Sequence, residues 1–240
     1  MTKPKFDLDK IKYGVDPATF QKAVDLYKKG KVINFEEAIA SYTADVLGTQ
    51  IYHVSVEARD YRYCFCNCYV GQDETLCKHA IAVAIYATGG GKKLTKEDET
   101  QITKPESSGI VGELTENELR LVKAEITKSV LYIKYYDGPL RTWFAYQNSL
   151  DEGVNRLSKI ITKLPISIQT TDLIISLLLR LDRKLQSGID DSNGTVGGFI
   201  EETVEVLKDF AKKDPKITKC FKNEQPRGRA DGVSEEHGLR

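Results

Sequence analysis

"YRYCFCNCYVGQDETLCKHAIAVAIYA", residues 61–87, decides how the chain is read, because it gathers four of the five cysteines and one of the three histidines into an otherwise aromatic, small or apolar span. Three explanations compete: a bound metal, a redox switch, or a chance cluster of small hydrophobes. The compartment bears on the choice. The start, "MTKPKFDLDKIKYG", has no continuous apolar core and so does not read as a secretory signal. The longest apolar runs, "LIISLLL" and "AIAVAIYA", are far too short to cross a bilayer. These features predict a cytoplasmic protein with no membrane association. In a reducing compartment clustered cysteines hold a metal more often than they form disulfides.

Strand alternation puts Cys64 and Cys66 on one side of an extended segment. Tetrahedral zinc needs its sulfurs about 4 Å apart. Cys64 and Cys68 on a straight strand have backbones about 13 Å apart. An extended segment therefore supplies one adjacent pair, either Cys64 with Cys66 or Cys66 with Cys68. The other half-site is Cys77 and His79. Residues two apart on a helix do not face each other, so Cys77 is expected just before or at a helix start, with His79 in the first turn reaching back. A helix N-terminus also lowers a cysteine's pKa and makes it a better ligand. Three thiolates and an imidazole leave zinc with a net charge of about −1, which Lys78 could offset, although it reads more readily as an ordinary solvated lysine. Four protein ligands leave no position for water, so metal-assisted hydrolysis is not expected. Iron–sulfur ligation by Cys64, Cys66, Cys68 and Cys77 fits no usual cluster spacing and leaves His79 unexplained.

Around this stretch the chain divides in two. Asp16 before Pro17 reads as a helix cap, with Phe20, Val24 and Tyr27 on one face and Gly30 as the stop. From Tyr42 to Phe65 the period changes to two, with "GTQ" and "ARD" as turns, which predicts a small antiparallel meander with Phe65 directed to the core. "KHAIAVAIYATGGG" predicts an alanine-rich helix ending at Gly89 to Gly91. Residues 89–112 are polar, glycine-bearing and without period, and are expected to be a linker.

The second half, 113–221, is expected to be all helical. Thr115 and Glu118 form a capping-box pattern with Leu114 and Leu119 as its staple, and Leu119, Val122, Ile126, Val130 and Ile133 make the buried stripe. Later stripes are Phe144, Leu150, Val154, Leu157 and Ile161; then Leu173, Leu177, Leu181 and Leu185; then Ile200, Val204, Leu207 and Phe210. Short connections predict antiparallel packing. Residues 222–240 are polar and expected to be a disordered tail. The fold class is α+β: residues 1–88 form a helix, antiparallel strands and a β-β-α zinc finger, and an all-α region follows.

The pattern Cys-x-Cys, spacer, Cys-x-His inside "CFCNCYVGQDETLCKHAIAVAIYA" resembles the SWIM-type zinc finger, with a β-β-α fold. "ADVLGTQIYHVSVE" resembles the strands that lead into that motif, and "LYKKGKV" the lead-in of bacterial examples. Matched residue by residue, the resemblance implies Cys64, Cys66, Cys77 and His79 as ligands of Zn2+, with Tyr69 where an aromatic often follows the second cysteine and Cys68 left over. Asn67 stands where the family commonly has proline, which keeps Cys66 with Cys68 open as the alternative pair. The resemblance covers about residues 17–88 and matches only the N-terminal part of longer proteins, so an accessory subunit or a truncated relative is one expectation. "KYYDGPLRTWFAYQNSL" and "DDSNGTVGGFIEE" are more weakly similar to the helical region that follows the finger in some bacterial SWIM proteins.

The residues offer no catalytic constellation, so a non-enzymatic binding module is expected, with the helical half as a docking platform. The family implies protein or DNA binding. Lys+Arg and Asp+Glu both number 35, and through Gly90 each sign counts eleven, so no bulk field attracts nucleic acid. Tyr61, Arg62, Tyr63 and Lys78 are expected to form a small aromatic-basic patch, with Arg62 and Lys78 as the nucleic-acid contacts. A protein partner ranks ahead of DNA, and no small-molecule substrate is evident. A redox-sensing zinc/thiol regulator using Cys68 is the alternative. His53 reads as a half-exposed strand residue, His237 as a tail residue without a structural role, and Trp143, Phe144 and Tyr146 as core aromatics. "IDDSNGTVGG" fails the register of a calcium loop, because Ile189 falls where its first acid belongs. It reads instead as a loop capping the last helix.

Overall fold

The computed structural model describes residues 3–73, 75–139 and 143–223. The expectations for a tail beyond residue 223, for His237 and for the Phe144 side chain lie outside the described residues.

Two hydrophobic cores divide the molecule. The first is built on a four-stranded antiparallel sheet in sequential order: β1 (Val32–Glu37), β2 (Ser41–Leu47), β3 (Ile51–Glu57) and β4 (Cys64–Cys66). Tyr42, Ala44 and Val46 of β2 and Val54 and Val56 of β3 alternate onto one face, as a half-covered antiparallel sheet requires. On that face lies α4 (Lys78–Gly89), and α2 (Pro17–Lys28) packs against α4. The Asp16 carboxylate accepts the Thr19 amide at 2.9 Å with Pro17 at the first helical position, and Phe20, Val24 and Tyr27 are buried. Ala80 to Ile85 of α4 are all fully buried. Three alanines among them let the helix backbone approach both the sheet and α2, and Gly90, at φ 59°, ends it in the left-handed conformation.

Several elements have no counterpart in the sequence reading, two of them ahead of β2. One is α1 (Leu8–Tyr13), capped by Asp7, whose carboxylate accepts the Lys10 amide. The other is β1, whose pairing with β2 shifts between Ile33 and Glu36, where Asn34 takes φ 51°. Phe65 also differs from expectation. It is 58% exposed while Cys66 is buried, because Cys66 lies opposite the buried Val54 and Phe65 opposite Ser55 on the open face.

The second core joins α6 (Glu116–Val130), α7 (Trp143–Lys163), α8 (Ile168–Gln186), α9 (Thr195–Lys213) and a 3-10 helix (Pro215–Asn223). The Thr115–Glu118 capping box forms with both reciprocal bonds. On α9 the expected stripe is displaced: Val204 is 37% exposed, and Val196, Phe199, Val206, Leu207 and Phe210 are buried. The preceding loop caps this helix from a distance, with the Asp191 carboxylate accepting the Val196 and Gly197 amides, each at 2.8 Å.

Residues 89–112 carry one helical turn, α5 (Lys96–Glu99), and are fastened at both ends. The buried Lys12 donates to the Glu97 and Thr100 carbonyls at 2.7 and 3.0 Å, while Ile110 accepts the Ile166 amide at 2.7 Å. An ion network then joins the first unit to α7. Arg156 binds Asp7 at 2.7 Å and Glu152 at 2.8 Å, Lys159 binds Asp9 and Glu97 at 3.1 Å each, and Lys163 binds Glu97 at 2.5 Å. Among the described residues no helix is long and apolar enough to cross a membrane.

Candidate metal centre

The sheet ends at Cys66, and how the chain leaves it sets the site. The Asn67 amide donates to the His53 carbonyl at 3.3 Å, and the Asn67 side chain accepts the His53 amide at 3.0 Å. Asn67 thus satisfies β3 with its own side chain and frees the main chain to turn. Cys68 follows as the cap of a short helix, α3 (Tyr69–Gln72), its sulfur accepting the Gly71 amide at 3.3 Å. Cys77 caps α4 in the same way, accepting the Ala80 amide at 3.5 Å, and His79 lies in the first turn, as the Cys-x-His spacing requires.

These turns bring the ligand atoms of Cys66, Cys68, Cys77 and His79 within 4.8 Å of one another, all four side chains buried. His79 Nδ1 lies 3.8 Å from Cys66 Sγ and 3.9 Å from Cys77 Sγ. Ligands 2.0–2.3 Å from one tetrahedral ion stand about 3.5–3.8 Å apart, so the group has the dimensions of a metal site. Its composition, three sulfurs and one imidazole, is that of a closed structural zinc centre.

The sequence expectation is thereby redrawn at one position. Cys66, Cys77 and His79 are together, and Cys68 stands with them in place of Cys64. The straight strand assumed between Cys64 and Cys68 does not exist, because the chain bends at Asn67. Cys64 lies one pair further back, opposite Val56, half-buried, its thiol pushed up to about 11 by burial and by the neighbouring Cys77 and Cys68 sulfurs. Cys68, left over in the family match but kept open above in the alternative pair with Cys66, belongs to the group.

Charge is accommodated locally. A hydrogen bond with Cys66 holds the Cys77 thiol well below its ordinary range against the opposing effect of burial, and bonds from His79 and the Ala80 amide help. The reciprocal bond and burial push Cys66 up. Two helix starts, at Cys68 and Cys77, aim backbone amides at sulfur, so compensation comes from the main chain, and Lys78 stands exposed at the start of α4. The expected aromatic-basic patch is likewise changed. Tyr61 is buried against Phe6 and donates to the Lys10 carbonyl. Arg62 is held by the Asp60 carboxylate through Nε at 3.0 Å and Nη2 at 2.5 Å. His53 is an exposed strand residue, paired with Asp45 at 2.6 Å.

Residues 52–87 match the SWIM zinc finger. The match begins in β3, takes in the whole cysteine group and ends in α4, so the SWIM finger here is the β3–β4–α3–α4 unit. No curated protein and no solved structure matches the chain, and the helical region rests on its own geometry.

Two residues that support the SWIM site escaped the sequence reading. Gly71 packs against Cys66, and Tyr52 stacks on the His79 ring with centroids 4.1 Å apart. Strict alternation carries a signal for the second: Tyr52 shares a face with Val54 and Val56.

Proposed function

We propose that the SWIM finger binds one zinc ion for structure through Cys66, Cys68, Cys77 and His79, and that the chain works as a non-enzymatic docking module for a protein partner. The observation that carries the metal reading is the set of four buried ligand atoms within 4.8 Å. Zinc there ties the end of β4 to the starts of α3 and α4, and four protein ligands leave no open position for chemistry.

The preference for protein over DNA rests on what surrounds the site. Tyr63, Phe65 and Tyr69 are 65%, 58% and 85% exposed. The guanidinium of Arg62, one of the two expected phosphate contacts, is already paired with Asp60. Exposed aromatics beside a neutralised arginine favour a protein surface over a phosphate backbone. Electrophoretic mobility with duplex and single-stranded DNA at two salt concentrations tests this. No shift is expected at low salt, and a salt-sensitive shift reverses the preference. Co-purification of a protein that is lost with Tyr63→Ser/Phe65→Ser, while zinc content is retained, is the positive result.

A further inference from the structure

Tyr52 is built into the metal centre more firmly than a core aromatic needs to be. Its ring lies over the His79 imidazole at 4.1 Å between centroids, with 20° between the planes. Its hydroxyl is tied to the Thr49 hydroxyl at 2.7 Å across the turn between β2 and β3. In the same turn a Cβ on Gly48 would come 2.7 Å from Tyr52 Cε2. Gly48 is not among the glycines with positive φ, so what it supplies is room for the ring. One hairpin turn therefore sets the ring by a bond on one side and by the absence of a side chain on the other.

The imidazole needs such a support. The torsion that turns a histidine ring is broad and roughly two-fold, and Nδ1 must face the Cys66 and Cys77 sulfurs to share an ion with them. Offset stacking on an anchored aromatic fixes the ring plane, and the hydrogen bonds to the two sulfurs then select which edge faces them. We infer that Tyr52, held by Gly48 and Thr49, is a positioning residue for metal capture that presets the His79 ring so that Nδ1 faces the cysteine sulfurs. This rests on the reading of the four residues as a zinc site.

Zinc affinity, measured by competition with a chromophoric chelator, and the visible spectrum of the cobalt-substituted protein test it. Tyr52→Leu is expected to weaken zinc about 10–100-fold, the range for losing a group that orients a metal ligand, and to alter the cobalt spectrum. Tyr52→Phe keeps the stack but loses the bond to Thr49, and is expected to fall between wild type and Tyr52→Leu. In a His79→Cys background, where no imidazole remains to orient, Tyr52→Leu is expected to change affinity less than about threefold. A merely structural tyrosine gives the same loss in both backgrounds, and that result overturns the inference, as does a folded Tyr52→Leu variant binding zinc like wild type. If Tyr52→Leu does not fold, Gly48→Ala displaces the ring instead: weakened zinc supports the assignment and unchanged affinity overturns it. Failure of the wild-type chain to take up zinc overturns the metal reading itself, a result distinct from any loss confined to the variants.

Discussion

Gly71 lies so close to Cys66 that a Cβ built on it would come 2.5 Å from the Cys66 carbonyl oxygen and 2.6 Å from the Cys66 Cβ. The turn that carries Cys68 back toward the sheet passes through this point, and only a residue without a side chain lets it close.

Gly71→Ala therefore forces α3 away from β4 and pulls Cys68 from the other three ligands. The expected cost is about 1–3 kcal/mol of overpacking in the folded state, together with reduced zinc occupancy. Thermal denaturation and metal analysis of the same sample check both, and an unchanged melting temperature with full occupancy contradicts the packing argument.

Arg156 stands between the two cores, bonded to Asp7 and to the buried Glu152 and lying over the Tyr132 ring. Arg156→Met leaves Glu152 buried without its cation, at a cost of about 3 kcal/mol. Adding Glu152→Gln removes the stranded charge and is expected to recover part of that loss. Urea denaturation of the three variants checks the order; equal stability of the single and double variants contradicts it.

The same interface sets a pH dependence. Burial pushes the Asp7 carboxyl up, but the Lys10 amide and the Arg156 guanidinium outweigh it and hold Asp7 below its ordinary value of 3.8. Glu97 is held below 4.5 by Lys163 first, against some burial, and then by Lys159. Carboxyls with depressed folded-state values stabilise fully above their unfolded values, and that contribution is lost as pH falls through the folded ones. Wild-type stability is expected to drop more steeply below pH 4.5 than that of Asp7→Asn/Glu97→Gln, both titrated with the same zinc supply so that acid release of the metal is common to the two. Parallel acid titrations by circular dichroism refute the assignment.

Asp191 caps α9 across an intervening turn, since Gly194 at the formal cap position has no side chain to offer. Asp191→Ala is expected to cost about 1–2 kcal/mol, and Asp191→Asn less. Denaturant midpoints of the two variants check the difference.

What could be read in advance was local. The Thr115–Glu118 box, the Asp16–Pro17 start and the Cys77–His79 pair all lie within a few residues of their partners, and each forms as its spacing demands. β1 was hidden because Asn34, at φ 51°, breaks the alternation that marks a strand. α1 was hidden because six residues are too few to show a helical period. The choice between Cys64 and Cys68 turned on a bend at Asn67 stabilised by His53, fourteen positions away, which no pattern within "CFCNC" encodes. The α9 stripe was misplaced by the same kind of omission: Val204 and Val206 are equally apolar, and only the packing decides which is covered.

The most direct test of the account is the zinc content of purified Cys64→Ser and Cys68→Ser beside wild type. The account predicts about one zinc per chain in wild type and in Cys64→Ser, and loss in Cys68→Ser. Zinc kept by Cys68→Ser and lost by Cys64→Ser contradicts it.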